Sequence, residues 1–289
     1  KPIFPILPSI VTAGPEVQTF IKKGHVNFSD EVTLGTALAR VLNTPTPANN
    51  DIQLYGVDVA EVRRIIERIP EDGYLNPTDT RQLLKAANIP LVEEFVSADK
   101  EELLRFANEV RYPVVAKVVG PLHKSDMGGV ALNIKSDKHL LLEYERMMQL
   151  PGVKSIMIQP MLKGTELFLG AKYEEKFGHI VFCGLGGIFV EILKDVSYGL
   201  APLSYDETFS MIHSLRGYPI IKGARGQKGI DEQSYADMIV RLSTLLRFAK
   251  EIKEMDINPL IADSRGIFAV DARIRIEKQA VSDKDHKNE

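Results

Sequence analysis

A second cysteine is missing: Cys183 stands alone among 289 residues. That excludes an internal disulfide and any thiolate metal site built by this chain alone, and it fits a reducing, cytoplasmic setting. Basic excess is missing too. With 36 Lys and Arg against 39 Asp and Glu spread along the chain, the formal charge is -3, the wrong sign for phosphate-backbone binding, so nucleic acid is not an expected partner. No run approaches the roughly 20 apolar residues of a membrane span, and no membrane partner is expected. The opening Lys1-Pro2-Ile3 has neither an initiator Met nor the charged start and apolar core of a signal peptide, and reads as a fragment or a processed chain. Two familiar phosphate motifs are absent as well. Gly184-Leu185-Gly186-Gly187 lacks the offsets of the dinucleotide fingerprint and the Gly-Lys-Ser/Thr of a P-loop. What is present is a hydrophobic fraction of 44%, enough to fill the core of one large domain or two ordinary ones.

Apolar spacing predicts a short helix over 15–23, the segment Val26-Asn27-Phe28, and a helix capped by Ser29 with the stripe Val32, Leu34, Ala37, Leu38, Val41 and Leu42. Thr44 to Asp51 has no such spacing and two prolines, which marks a linker and a domain boundary near residue 48. Beyond it, helices capped by Asn76, Ser97 and Ser136 alternate with strands at 114–119, 129–134, 155–161 and 165–172. A long helix from Ser234 to about Ile252 precedes two closing strands, and the polar tail from Lys278 is expected to fray. The class is α/β.

The closing hairpin carries the strongest local chemistry. Taking Asp263-Ser264-Arg265-Gly266 as its loop pairs Ala262 with Ile267, which sets Asn258 across from Asp271 and Asp256 across from Arg273, all on one face. Ile257, Pro259 and Ile261 against Ala272, Val270 and Phe268 would then form the buried face. A carboxylate facing an amide oxygen suits a hard cation that keeps phosphate oxygens and waters as its other ligands, although an ordinary polar face with an Asp-Arg pair has the same pattern. Lys117, inside an otherwise aliphatic strand, must send its ammonium to an anion or to solvent at an edge. Downstream of it, His123 and Gly128-Gly129 suit a phosphate cradle with an imidazole beside it, or a plain turn. Gly223-Ala224-Arg225-Gly226 is a cationic loop, read equally as a phosphate clamp or a solvated segment.

In order, these motifs are Lys117, His123-Lys124-Ser125-Asp126-x-Gly128-Gly129-Val130, Gln159-Pro160-Met161, Gly164-x-Glu166, Gly184-x-Gly186-Gly187-Ile188-Phe189-Val190-Glu191, Gly223-x-Arg225-Gly226, Asp256-Ile257-Asn258-Pro259-Leu260 and Val270-Asp271-Ala272-Arg273. The set resembles the NDP-forming acyl-CoA synthetases, relatives of the succinyl-CoA synthetase β subunit, over most of residues 75–276. The resemblance implies an ATP-grasp fold of two subdomains over 48–289, preceded in 1–47 by the end of a flavodoxin-like CoA-ligase domain, with Gly24-His25-Val26-Asn27-Phe28-Ser29 matching its last strand and following helix. It implies ATP or ADP and magnesium as cofactors, with Lys117, Gly128 and Gly129 on the phosphates and Asn258 and Asp271 on the metal. Adenine would lie near Gln159, Pro160 and Met161, with Glu166 and Arg225 also in the nucleotide site. His123 would be the phosphorylated carrier, with Glu191 orienting it. The loop before His123 is about two residues shorter than the family pattern, and the family's CoA-binding part and first phosphohistidine are not in this sequence. CoA and the acyl group would therefore be handled by a portion absent here. The acyl group, the choice of adenine or guanine, and self-association as a homo-oligomer stay open. Two other classes also stay open: an ATP-grasp carboxylate-amine ligase and a non-catalytic nucleotide-sensing module.

Overall fold

The structure is a computed structural model and describes residues 3–7, 12–44, 56–120, 128–187, 195–224, 226 and 228–278. The chain divides into two compact units, Lys1–Asn49 and Asn50–Glu289. The first holds α1 (Gly14–Lys22) and α2 (Glu31–Leu42), with a parallel bridge between Ile6 and Phe28. Asp30, not Ser29, caps α2: its carboxylate accepts from the Thr33 amide, and the Ser29 hydroxyl donates to Asp30. No residue of α2 is buried.

The second unit runs through α3 (Val59–Arg68), β1 (Gly73–Tyr74), α4 (Pro77–Ala86), β2 (Phe95–Ser97), α5 (Lys100–Val110), β3 (Val114–Val119), β4 (Val130–Ile134), α6 (Asp137–Met148) and β5 (Ser155–Pro160). It continues with β6 (Thr165–Glu174), β7 (Gly178–Leu185), β8 (Val196–Leu200), α7 (Tyr205–His213), α8 (Tyr218–Lys222), α9 (Glu232–Phe248), β9 (Ile252–Asp263), β10 (Gly266–Ala269) and β11 (Ala272–Ile276). Asn76 and Ser136 cap α4 and α6 as their sequence positions predict. Asp99 takes the role expected of Ser97, because the Ser97 hydroxyl is spent on the Asp99 amide and on Glu102. Helix α9 stops at Phe248, and Ile252 already begins β9.

These elements build two antiparallel sheets. The smaller has the order β2-β5-β3-β4, and the larger, seven-stranded one has the path β1-β11-β9-β6-β7-β8 with β10 also on β9. In the smaller sheet Val114, Ala116, Val118, Ile156 and Ile158 form one face, fully buried against Leu103 and Ala107 of α5 and Leu140 and Met147 of α6. The larger sheet presents Leu167, Leu169, Val181, Cys183 and Leu185 to Tyr235, Ile239, Leu242 and Leu246 of α9. Tyr235 fixes that contact: its hydroxyl donates to the Phe168 carbonyl at 2.6 Å and accepts from the Gly184 amide at 3.1 Å. Burial pushes the Cys183 thiol up to about 12, which makes it an inert apolar residue.

The hairpin count holds in register. Ile267 pairs with Ala262, Arg273 with Asp256 and Ala272 with Ile257, and the Asn258 amide donates to the Asp271 carbonyl at 3.2 Å. Gly266 also pairs with Asp263, so the turn closes on Ser264-Arg265. The expected buried face, however, holds at Ile257 and Ile261 but not at Pro259, Val270 and Phe268, which are only partly buried. Against β6 the register slips between Leu167, paired with Leu260, and Leu169, paired with Ile257, which leaves Asn258 and Pro259 opposite one residue. That bulge, where Pro259 has no N–H to give, turns the strand over. Leu260, Ala262, Ile267 and Ala269 therefore join the core in place of Pro259, Val270 and Phe268.

Candidate functional site

The two sheets meet along a short line of backbone. Leu91 bridges Ala269 and the Val92 amide donates to the Ala269 carbonyl at 3.0 Å, after which the chain enters β2 and pairs with β5. On the face of the smaller sheet away from its helices lie Val115, Lys117, Met157 and Gln159, because β3 and β5 pair Lys117 with Met157 and Val115 with Gln159. Both polar members reach the larger sheet at one atom. The Lys117 ammonium donates to the Val270 carbonyl at 3.3 Å and the Gln159 amide donates to the same oxygen at 3.2 Å. Asp271 follows directly. The fold thus gathers Lys117, Gln159, Asn258 and Asp271, which are far apart in sequence.

Asn258 and Asp271 are half-buried on the hairpin, and one Asp271 oxygen accepts from the Ala272 amide at 3.0 Å. Asp256, two residues before Asn258, belongs to the same face. Burial pushes its carboxyl up, the Arg273 guanidinium pulls it back, and the negative charge of Asp271 adds to the rise. Its Oδ1 is buried with no hydrogen-bond partner. A buried carboxylate oxygen left unpaired beside a second carboxylate and an amide oxygen fits a divalent cation. Among the described residues no cluster of three or more His, Cys, Asp and Glu could hold a metal ion.

Glu166, on β6, is exposed and lies under the glycine turn after β7. A Cβ at Gly187 would fall 2.0 Å from the Glu166 carboxylate, and Gly187 has φ +58°, a left-handed conformation that favours glycine. Gly128 also has a left-handed φ of +67°; its carbonyl accepts from Arg146 at 2.8 Å, and that of Gly129 accepts from the Val118 amide at 2.9 Å. The glycine turn is thereby anchored one residue beyond Lys117. Pro160 and Met161 close β5, with the Met161 amide on the Pro113 carbonyl at 3.0 Å. His123, Glu191 and Arg225 lie outside the described residues.

Two residues with no role assigned from sequence now matter. Asp256 was visible as part of the hairpin face, but its orphaned oxygen depends on three-dimensional burial. Glu94 gave no signal at all, since its partner Gln159 is brought to it only by the β2–β5 pairing.

Residues 68–276 match the family model described as ATP-grasp domain. The chain belongs to the ATP-grasp family. Over 229 residues it is 41% identical to the ADP-forming acetate–CoA ligase I subunit beta of Pyrococcus furiosus, covering 75% of this ATP-grasp chain and 98% of that protein. A crystal structure of a Pyrococcus horikoshii protein superposes with a TM-score of 0.69 at 35% identity, covering 76% of this chain and 99% of that one. The acetyl-coenzyme A synthetase 1 of Candidatus Korarchaeum cryptofilum superposes with a TM-score of 0.64 at 32% identity, covering 75% and 100%. That structure holds coenzyme A and Mg-AMPPCP, with its phosphohistidine segment pointing towards the nucleotide site. The mixed α/β fold of two antiparallel sheets is the ATP-grasp fold, and the chain's relatives are ADP-forming acyl-CoA synthetases.

Proposed function

We propose that the chain is the nucleotide half of an ADP-forming acyl-CoA synthetase, which interconverts acyl-CoA, ADP and phosphate with free acid, CoA and ATP. The observation that supports this most directly is the juxtaposition of Lys117 and Gln159 on one sheet with Asn258 and Asp271 on the other, joined at the Val270 carbonyl. In this reading Lys117 and the Gly128-Gly129 turn hold the phosphates, Asn258 and Asp271 hold magnesium, and Glu166 and Gln159 to Met161 border the nucleoside. Magnesium, when bound, neutralises charge on the phosphate oxygens. His123 takes the γ-phosphoryl group, releasing ADP, and later gives it up to the acyl half. A carrier on a loop replaces one long reach by two in-line transfers. Glu191 would orient the imidazole, and Lys124 or Arg225 would bind the phosphate carried on it. Residues 1–47 would be the end of the CoA-ligase domain, and the lone buried Cys183 suits a cytoplasmic enzyme. Among the described residues no helix is long and apolar enough to cross a membrane.

The test uses the protein together with its CoA-binding portion. Magnesium and γ-labelled ATP should leave an acid-labile, base-stable label that His123→Ala abolishes. A His123→Ala enzyme forming acyl-CoA at the wild-type rate ends the carrier reading, and a carboxylate-amine ligase would show no such label.

A further inference from the structure

The Gln159 carboxamide is almost wholly enclosed, at 1% exposure, yet only its nitrogen is satisfied. Its two N–H groups go to Glu94 Oε2 at 2.9 Å and the Val270 carbonyl at 3.2 Å. Both are acceptors without a hydrogen to offer, so the opposite orientation of the amide would set oxygen against oxygen twice. Its Oε1 is buried and has no partner among the described residues. Buried acceptors are nearly always paired, and this one shares its sheet face with Lys117. Glu94 is itself held in place. Arg81, on α4, lies 3.1 Å from Glu94 Oε2 and donates to the Val92 carbonyl at 2.9 Å.

We propose that Glu94 is a positioning residue that locks the Gln159 carboxamide as a fixed acceptor, so that the site reads the exocyclic amine of adenine over the carbonyl of guanine. This rests on the nucleotide site proposed above. Adenine presents N–H donors at its six-position and satisfies Oε1. Guanine presents a carbonyl oxygen there and leaves two lone pairs facing each other. A free glutamine could turn its amide and accept either base. Glu94 removes that choice, because a carboxylate cannot donate to the turned amide.

Titration calorimetry with Mg-ADP and Mg-GDP tests this. The wild-type chain should bind ADP at least about tenfold more tightly than GDP, the worth of one hydrogen bond in a site built around it. In Glu94→Gln the amide is free to turn, and the ratio should shrink to within about threefold, ADP weakening while GDP gains. Gln159→Leu, which leaves Glu94 with Arg81, should bring ADP down to the affinity of GDP. Equal wild-type affinities overturn the proposal. So does a Glu94→Gln variant that loses both nucleotides in proportion, since damage to the fold does not distinguish bases. Failure of the wild-type chain to bind either nucleotide overturns the nucleotide site itself, and is told apart by that result.

Discussion

On the smaller sheet the polar side chains facing the larger one are enclosed: Lys117 keeps 9% of its surface and Gln159 1%. Across from them the hairpin's Asp256, Asn258 and Asp271 are only half-buried. The first pair directs its donors to the Val270 carbonyl and the Glu94 carboxylate, and each side keeps one buried oxygen unpaired, Gln159 Oε1 on the enclosed side and Asp256 Oδ1 on the hairpin. Enclosure fixes direction, which suits reading a shape, whereas partial exposure leaves room for an ion that brings its own waters and phosphate. The two halves of the site are thus built on different physical terms.

The comparison breaks most severely if the shared scaffold goes. Ile257→Ala, at a fully buried position beneath the metal-ligand face, should cost about 2–5 kcal/mol of stability, read by denaturant unfolding. Next in size is the hairpin's function. Asp271→Ala, and separately Asn258→Ala, should weaken magnesium-dependent nucleotide binding by up to about a hundredfold without unfolding the chain. Unaltered affinity in both variants, measured by calorimetry, removes them as metal ligands. On the enclosed side Lys117→Ala should lose about 1.5 to 3 kcal/mol of nucleotide affinity, roughly one to two decades, independent of the metal. A smaller loss would mean its ammonium makes no contact with the nucleotide.

The gentlest probe is pH. Asp256 has its carboxyl raised in the fold, so its protonated form is favoured there more than in the unfolded chain. The stability this gives is complete below the ordinary aspartate range and is lost as pH rises through the folded value. Without nucleotide, Asp256→Asn should therefore melt higher than wild type near neutral pH, with the gain fading on acidification into the aspartate range. A gain of equal size at every pH would tie the effect to packing and not to charge.

Sequence pattern carried most of the fold because the aliphatic run at 114–119, the alternation at 165–172 and the caps Asn76 and Ser136 are local facts. The register of the hairpin was legible for the same reason: one short turn fixes every pair behind it. Its buried face was legible only at Ile257 and Ile261, although Pro259 inside a central strand was the available hint of a bulge. Caps at Ser29 and Ser97 slipped by one and two residues because each serine had an aspartate downstream that accepts more strongly. Glu94 was illegible since nothing local links residue 94 to residue 159, and only the β2–β5 ladder does.

The hydrogen bonds from Lys117 and Gln159 that join the two sheets at the site both end on a main-chain oxygen, that of Val270. An anchor of that kind is hidden from ordinary genetics. Replacing the side chain at 270 changes packing but leaves the carbonyl where it is, so a survey of variants there would report tolerance at the very point where the halves are tied. The position can be damaged only by moving the backbone, through an inserted or deleted residue between Ala269 and Asp271, or by an ester in place of the 270–271 amide, which weakens the carbonyl as an acceptor.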